Sequence, residues 1–323
     1  MASAPASRSA SSGSAVFVPE VGSSPVPGYR LIRLRGRGGF ATVWEAAGPT
    51  GERVALKFMS SANLSSTARE LRSLQSVQAV EHPNLLKIRN VWSAPGCIVI
   101  GMDLADASLL DLIEVYLEEL GRQPEPEKLC YYLYQAAQAL DFLNARRHRI
   151  DGKLVALQHG DIKPNNILLV GDEAKLADYG LATQLQGPAA PCPRHGTAEY
   201  CAPEVFQGTL TEKSDQFSFA VTYFVLRTLR FPYPAPPADR EQLRNYVRPD
   251  PDLSPLPPAE QPILARALSV IPQTRWPSCH DLMTALIAAN GLEVRPQDDG
   301  RFRIAPAQLS GPASQRSQQI RLT

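Results

Sequence analysis

The residues best suited to chemistry lie in one short polar loop that runs into an apolar strand. From His159 the loop reads His-Gly-Asp-Ile-Lys-Pro-Asn-Asn, and Ile-Leu-Leu-Val follows it. Asp161 can orient or accept the proton of an attacking hydroxyl, Lys163 can neutralise a transferring phosphoryl group, and Asn166 can offer an amide oxygen to a metal. So many polar groups before an apolar strand are improbable in an ordinary surface turn. The spacing indicates phosphoryl transfer.

A second carboxylate comes shortly after that strand. Asp178 ends a short apolar stretch and is followed by Tyr179 and Gly180. A hard oxygen ligand there, opposite Asn166, would complete a Mg²⁺ site that bridges phosphate groups. The Asp-Tyr-Gly tripeptide is a weak motif alone, and its value comes from its order and spacing after Asn166.

A glycine-rich turn lies between two predicted strands near the start of the chain. Residues 36–43 read Gly-Arg-Gly-Gly-Phe-Ala-Thr-Val. Glycines let backbone amides approach polyphosphate oxygens without obstruction by side chains. A dinucleotide-binding glycine motif would be followed by a helix, whereas a second strand follows here. The pattern therefore favours a nucleotide flap over a nicotinamide site, although a glycine-rich hairpin is also a common structural turn.

One lysine ends an otherwise apolar strand, Val54-Ala55-Leu56-Lys57. A buried ammonium without an anionic partner is costly, so Lys57 needs a nearby carboxylate. Glu70, early in the next predicted helix, is the natural partner. The alternative is an edge-strand lysine that reaches solvent.

Hydrophobic periodicity predicts the elements that would position these groups. Apolar and alternating runs predict strands at 29–34, 42–46, 53–58, 85–92 and 97–102. Apolar periodicity predicts helices at 67–77, 128–144, 259–268 and 278–289. The stretch 217–229 is apolar nearly all round, which predicts a buried helix. A strand-rich segment followed by a helix-rich one predicts an α+β fold with two lobes.

Length, charge and cysteine content limit the class of protein. The 323 residues suit one large catalytic domain, and a formal net charge of +1 gives no argument for binding nucleic acid or an anionic membrane. No run approaches the roughly 18 apolar residues of a transmembrane helix. The five scattered cysteines lack metal-type spacing, so we expect a reducing, cytoplasmic environment. We expect disorder in the Ser/Ala/Pro-rich residues 1–27 and a mostly flexible tail at 292–323.

In chain order, these motifs resemble the protein kinase family, and in texture its eukaryotic-like serine/threonine members in bacteria. The resemblance implies a small antiparallel β-lobe with one main helix (about 28–103) and a larger, mostly helical lobe (about 104–291). It implies ATP as the nucleotide and Mg²⁺ as the metal, with Mn²⁺ as an alternative. The catalytic and metal-binding residues that it implies are Lys57, Glu70, Asp161, Lys163, Asn166 and Asp178. The nucleotide-binding residues that it implies are Gly36, Arg37, Gly38, Gly39, Phe40, Ala41, Val43, Ala55, Lys57, Met102, Asp103 and Ala105.

The resemblance also assigns supporting residues. Asp215 would brace the catalytic loop, and Arg275 would pair with Glu204 of the Ala-Pro-Glu tripeptide that closes the activation segment. Met102 would be the gatekeeper before the hinge 103–105, with Ile100 as the alternative.

Four features depart from the family pattern. Ala41 replaces the third glycine of the flap, Tyr179 replaces a Phe, and Gly160 replaces the usual Arg of the catalytic loop. Residues 147–158 form an apparent insertion before the catalytic loop, and Asp151-Gly152 within it predicts a hairpin turn.

The resemblance implies a serine/threonine protein kinase whose partners are ATP and protein substrates. Lys163 and the Gly-Thr-Ala-Glu-Tyr run at 196–200 favour the serine/threonine branch, in which Thr197 would contact the catalytic Asp and Lys. A small-molecule phosphotransferase of the aminoglycoside or choline kind usually lacks a counterpart of Lys163 and the Glu204–Arg275 pair. A pseudokinase is the other alternative. The presence of the complete set of catalytic groups argues against it.

The activation segment, residues 182–196, predicts a mode of regulation. Gly160 cannot supply the positive charge with which many kinases capture a phosphate on this segment. Between Thr183 and Thr197 the segment has no hydroxyl, and three prolines restrict it. We therefore expect activity that does not depend on phosphorylation of this segment.

Overall fold

The first lobe is built on an antiparallel sheet of five strands. The computed structural model describes residues 19–38, 41–60, 74, 78, 80–94, 96–150, 152–178, 182–192 and 196–307. The strands of this sheet are β1 (Arg30–Arg37), β2 (Ala41–Ala47), β3 (Arg53–Ser60), β4 (Ile88–Ala94) and β5 (Cys97–Asp103). Their order in the sheet is β1-β2-β3-β5-β4. The strand predictions for this part of the chain are confirmed, with shifts only at the ends.

Alternation along β3 sends Lys57 to one face of the sheet and core residues to the other. The core face is formed by apolar residues of several strands, including Trp44, Val54, Leu56, Phe58 and Val99. On the opposite face, Lys57 lies beside Ile100 in the antiparallel register. The predicted helix 67–77, with Glu70, lies outside the described residues except for Leu74, which is helical and packs against Ile100.

Strand β4 begins later than predicted because the residues before it pair with the second lobe. The apolar run begins at Leu85, but the strand begins at Ile88. The backbone before it pairs with the second lobe instead, since Leu86 N donates to Leu176 O at 2.8 Å and Leu176 N donates to Asn84 O at 2.8 Å. This short segment therefore links the two lobes.

The prediction of disorder for residues 1–27 is wrong for the part that the structure describes. Val26 is 3% exposed and packs in the core of the first lobe. Gly22 N donates to Leu31 O at 2.8 Å, and Leu31 N donates to Ser23 O at 2.9 Å. A composition averaged over residues 1–27 conceals the burial of Val26, which anchors the described part of the segment. Residues 1–18 lie outside the described residues.

The second lobe is mostly helical, with short strands between the helices. The described helices are α1 (Leu109–Leu120), α2 (Pro126–Asn144), α3 (Pro203–Phe206), α4 (Ser214–Thr228), α5 (Arg240–Arg244), α6 (Gln261–Ala267) and α7 (Cys279–Ala289). The strands before the activation segment are β6 (Ala107–Ser108), β7 (His148–Ile150), β8 (Lys153–Gln158), β9 (Ile167–Val170) and β10 (Glu173–Leu176). Those within and after it are β11 (Thr183–Leu185), β12 (Ala189–Pro191), β13 (Thr209–Thr211), β14 (Leu292–Pro296) and β15 (Phe302–Pro306). The predicted α+β, two-lobed fold is confirmed.

Helix α4 forms the centre of the second lobe. The sequence predicts a helix that is buried on all sides, and Phe217, Phe219, Tyr223 and Phe224 are fully buried in it. The sequence-based predictions do not include helix α1, although Ser108 and Asp111 form a capping box at its start. Among the described residues, none of the helices is both long enough and apolar enough to cross a membrane.

A β-hairpin follows the last helix and corrects the prediction of a mostly flexible tail. Strands β14 and β15 pair in antiparallel register. The Phe302 ring packs against Tyr131 and Tyr134 of α2, with ring centroids 5.4 and 4.8 Å apart, and Ile304 is buried. Contacts with α2 stabilise these short strands, and such contacts leave no pattern in the local sequence. Residues 308–323 lie outside the described residues.

Candidate active site

The catalytic loop brings Asp161, Lys163 and Thr197 together. Asp161 Oδ1 accepts hydrogen bonds from both the backbone amide and the hydroxyl of Thr197, each at 2.8 Å. Lys163 Nζ lies 2.9 Å from Asp161 Oδ2 and donates to Thr197 Oγ1 at 2.6 Å. The predicted contact of Thr197 with the Asp and the Lys is confirmed. A carboxylate, a cation and a hydroxyl thus meet at one point.

The environment of Asp161 favours its charged form. Burial acts to raise its pKa, but the charge and hydrogen bond of Lys163 and the two donors of Thr197 outweigh it. The pKa of Asp161 is therefore held below its ordinary value, and the carboxylate is ionised at neutral pH. An ionised carboxylate can accept a hydrogen bond from an attacking hydroxyl.

Asp215 of α4 fixes the backbone of the catalytic loop. Asp215 Oδ2 accepts from His159 N at 2.7 Å, and Asp215 Oδ1 accepts from Gly160 N at 2.9 Å. The predicted bracing contact of Asp215 is confirmed. Gly160 has φ of 79°, in the left-handed region where glycine has the least strain. The buried ring of His159 bonds Ala177 O at 2.7 Å and so ties the catalytic loop to the residue before Asp178, a link that the sequence did not reveal.

Lys57 and Asp178 form an ion pair between the two lobes. Lys57 Nζ lies 2.5 Å from Asp178 Oδ1. Asp178 has φ of 68°, a backbone conformation that Asp and Asn tolerate better than most residues. Glu70, the partner predicted for Lys57, lies outside the described residues.

Asn166 and Asp178 offer oxygen ligands at adjacent positions. Ala177 N donates to Asn166 O at 2.9 Å, which places the start of the Asp178 segment beside Asn166. Asn166 Nδ2 donates to Asp161 O and Oδ2 at 2.7 and 3.0 Å, so the amide oxygen is the atom that Asn166 can offer to a cation. Among the described residues, no group of three or more His, Cys, Asp or Glu forms a complete protein cage. Two protein oxygens completed by phosphates are the arrangement typical of Mg²⁺.

The described part of the glycine-rich turn leaves space for a ligand. Gly36 pairs with Val43 and Arg37 with Thr42 across β1 and β2, and Gly38 N donates to Ala41 O at 2.8 Å. A Cβ added at Gly36 would meet nothing within 4 Å, so packing within the protein does not require glycine there. Gly39 and Phe40 lie outside the described residues.

The predicted hinge follows β5 at the edge of the cleft. Met102 lies opposite Ala55 in the register of β3 and β5, on the same face as Lys57. Ile100, the alternative gatekeeper, lies on that face too, and Met102 is the one that directly precedes the segment 103–105.

Arg35 of β1 contacts the hinge and the residue that follows it. Its Nη2 donates to the carbonyl oxygens of Ala105 and Asp106 at 3.3 and 2.9 Å. Its Nη1 lies 3.5 Å from Glu45, a buried carboxylate that also pairs with Arg33 and Arg53. The hydrogen bond from Arg33 and the three guanidinium charges hold the pKa of Glu45 below its ordinary value despite burial. Charged groups of β1 thus couple the glycine-rich strand to the hinge.

Comparison with known proteins decides the family. The family model of the protein kinase domain matches residues 29–289. The chain belongs to the protein kinase family. Members of this family use ATP with a divalent metal, and the predicted resemblance to bacterial-type serine/threonine kinases is confirmed by the relatives of this chain.

Two relatives come from Mycobacterium tuberculosis. Serine/threonine-protein kinase PknD is 31% identical over 281 residues, which are 83% of this chain and 40% of PknD. Serine/threonine-protein kinase PknF is 29% identical over 318 residues, 90% of this chain and 62% of PknF. The kinase spans less than two thirds of the length of either relative.

A rice relative and a crystal structure extend the comparison. CBL-interacting protein kinase 4 of Oryza sativa subsp. japonica is 33% identical over 217 residues, 64% of this chain and 45% of that protein. The crystal structure of a mutant form of the Mycobacterium tuberculosis PknI kinase domain has a TM-score of 0.64 and 23% identity, and the match covers 85% of this chain and 100% of that one. The kinase therefore has the fold of a protein kinase domain.

The kinase holds the end of its activation segment with a buried ion pair. Arg275 Nη1 and Nη2 each donate to one oxygen of Glu204 at 2.8 Å, and the Arg275 side chain is fully buried. Ser214 Oγ donates to the same carboxylate at 2.9 Å. The predicted Glu204–Arg275 pair is confirmed.

Glu204→Ala should destabilise this kinase strongly, because it leaves the Arg275 guanidinium buried without its counter-charge. Breaking such a pair typically costs about 3–5 kcal/mol. We expect a correspondingly lower free energy of unfolding in urea titrations, with Glu81→Ala as the control. Glu81 pairs with Lys87 at 3.1 Å on the exposed surface of the other lobe, and its loss should change stability little. Equal stability of the two variants would contradict the assignment.

Arg248 belongs to no recognisable motif, yet it binds three backbone carbonyls of the substrate platform, residues 197–201. Its Nε donates to Cys201 O at 2.9 Å, and its Nη2 donates to Ala198 O and Glu199 O at 2.7 and 2.9 Å. The guanidinium is buried and lies over the Tyr233 ring, 4.7 Å from its centroid. A lone Arg between Val247 and Pro249 was the only local signal.

Proposed function

We propose that this chain is an active serine/threonine protein kinase, which transfers the γ-phosphoryl group of ATP to Ser or Thr hydroxyls of protein substrates. The observation that carries the proposal is the contact of the Asp161 carboxylate with Lys163 and with Thr197 of the substrate platform. A substrate hydroxyl placed beside Thr197 would meet an ionised carboxylate and a lysine that can neutralise phosphoryl charge.

Each residue of the cleft has a separate role in phosphoryl transfer. Asp161 orients the attacking hydroxyl and accepts its proton as the hydroxyl oxygen bonds to the γ-phosphorus, while the bond from that phosphorus to the leaving ADP breaks. Lys163 offsets negative charge on the transferring group, and Lys57 fixes the phosphates, assisted by amides of the glycine-rich turn. Asn166 and Asp178 would hold Mg²⁺, or alternatively Mn²⁺, which would supply positive charge to offset the negative charge of the phosphates. ATP would lie with its adenine at the hinge 103–105.

Two other functions are less well supported. A pseudokinase would be expected to lack part of the catalytic set, but the described members of that set are present and in contact. A small-molecule phosphotransferase has no need of a platform for a polypeptide, and here Arg248 and the Glu204–Arg275 pair hold one in place. Cys97, Cys130, Cys201 and Cys279 are buried free thiols, which is typical of a reducing compartment and supports a cytoplasmic location.

The direct test is to incubate the purified protein with labelled ATP and Mg²⁺ and to offer acceptors in parallel. The acceptors are a library of Ser- and Thr-containing peptides, a Tyr-containing library, an aminoglycoside and choline. We expect transfer to Ser/Thr peptides and to the chain itself, with sites identified by mass spectrometry. Transfer to a small molecule alone, or nucleotide binding without transfer to any acceptor, would refute the proposal.

Regulation provides a further prediction. Because the activation segment has no hydroxyl between Thr183 and Thr197, we expect the enzyme to keep most of its peptide phosphorylation rate after phosphatase treatment. Mass spectrometry must show that Thr183 and Thr197 carry no phosphate before the rate is measured. A large drop in rate that autophosphorylation of this segment reverses would refute the prediction.

A further inference from the structure

The described part of the activation segment, residues 182–192 and 196, pairs with neighbouring strands at two places. Its first strand, β11, pairs with β8, so that Thr183 lies opposite Gln158 and Leu185 opposite Ala156. Its second strand, β12, pairs with β13. Leu185 is fully buried. Backbone ladders on two sides thus define the path of this segment.

The strand that holds β11 belongs to the insertion before the catalytic loop. Strands β7 and β8 form a tight hairpin in which Ile150 lies opposite Lys153, and Gly152 has φ of 78° in the turn. The predicted hairpin turn in the insertion is confirmed. The three strands form one sheet in the order β11-β8-β7. The hairpin and the first strand of the activation segment therefore belong to the same sheet.

Two cations at the ends of this hairpin contact the middle of the activation segment. Arg146 Nη1 donates to Gln186 O at 3.0 Å, and Lys153 Nζ donates to Gln186 Oε1 at 3.3 Å. Arg146 Nη2 also pairs with Glu212, whose backbone amide donates to Pro188 O at 3.2 Å. Arg146 therefore bridges the two ladders at the point where the segment passes from one to the other.

These contacts with Gln186 require no added negative charge on the segment. A phosphorylated activation segment is ordered by ion pairs between added negative charge and nearby arginines. Here Gly160 supplies no such charge, and the residues between Thr183 and Thr197 supply no hydroxyl. Within the segment itself, Arg146 and Lys153 bind an uncharged backbone carbonyl and an uncharged side-chain amide, and the charged partner of Arg146 is Glu212, outside the segment. None of these contacts needs a modification.

We propose that the β7–β8 hairpin, together with Arg146, is a positioning element that holds the activation segment in its working conformation without phosphorylation. Its significance for catalysis rests on the proposed function. The segment ends at Gly196, where an added Cβ would collide with the carbonyl oxygen of Gly160, and Thr197 follows with both of its contacts to Asp161. A displaced segment would therefore disturb the platform beside the catalytic carboxylate.

No single contact of the hairpin is strong. Arg146 and Glu212 are both more than a third exposed, and an exposed ion pair of this kind contributes little stability. The effect comes from several weak contacts that act on one short segment. A useful test must therefore remove more than one of them and read out local order.

The test compares Arg146→Met/Lys153→Met with Arg149→Met. Arg149 is a matched control because it is on the same hairpin and donates to Gly152 O of that hairpin at 3.3 Å. Amide hydrogen exchange is measured by mass spectrometry without nucleotide. Two lost hydrogen bonds should accelerate exchange in residues 183–192 by about tenfold in the double variant, with α4 unchanged and the control like the wild type.

Kinetics complete the test. We expect the double variant to lose a similar factor in kcat/KM for a peptide, with its affinity for ATP unchanged. Exchange in 183–192 equal to that of the control, or acceleration throughout the second lobe, would overturn the proposal, since the residues would then be inert or generally stabilising. Because exchange is measured without catalysis, absent transfer in the wild type would refute only the proposed function.

Discussion

Asp161→Asn should reduce phosphoryl transfer by about 10²–10⁴-fold, the range for loss of a positioned proton acceptor, and excess Mg²⁺ should not restore it. Asp178→Asn should also inactivate, but for another reason, because it weakens a metal ligand while leaving Asp161 in place. Raising the Mg²⁺ concentration should therefore recover part of the activity of Asp178→Asn alone. Initial rates across an Mg²⁺ titration measure the contrast.

The two variants are well matched structurally. Asn has nearly the volume of Asp, and at position 178 it tolerates the left-handed backbone that the structure requires. At position 161 an amide oxygen can still accept hydrogen bonds from Thr197, so the platform contact has a substitute. Similar Mg²⁺ rescue of both variants would show that the two roles are wrongly assigned.

Lys57→Met should lower the rate by at least about 10²-fold, because the phosphates lose a fixed cation and the transferring group loses its alignment. The side chain lies on the cleft face of β3 rather than in the core cluster, so we expect the melting temperature to change little. Single-turnover kinetics and a thermal melt of the same preparation separate the two effects.

Lys87→Met is the control for this experiment. Lys87 is in the same lobe and pairs with Glu81 on the exposed surface. It should retain wild-type turnover. A Lys57→Met enzyme with normal turnover, or one that fails to fold, would contradict the role given to Lys57.

The catalytic loop could be predicted from sequence because its chemistry is local. Asp161, Lys163 and Asn166 fall within six residues, and that spacing alone places them on one turn before a strand. The pairs Glu204–Arg275 and Asp215–Gly160 are distant in sequence, and only the resemblance to a family identified them. Their geometry in the structure agrees with that assignment.

Contacts that are distant in sequence and belong to no motif could not be predicted. Val26 and Phe302 lie in stretches with few apolar residues, and their packing depends on partners in β-strands or in α2. Arg248 and Arg146 are ordinary surface residues by local composition. Each of these arginines acts by donating hydrogen bonds to backbone carbonyls that the fold brings close. Because every residue has a backbone carbonyl, the sequence does not show which carbonyls an arginine will bind.

The hairpin after α7 has a consequence for the limits of the folding unit. The family match ends at residue 289, yet strands β14 and β15 cover the rings of Tyr131 and Tyr134 with Phe302. A chain cut after the last helix would expose this aromatic face of α2 to water, and exposed apolar patches favour self-association. The smallest well-behaved fragment of this kinase should thus extend to about residue 307, where the backbone of Ala307 closes the hairpin on Gly291 at 2.9 Å.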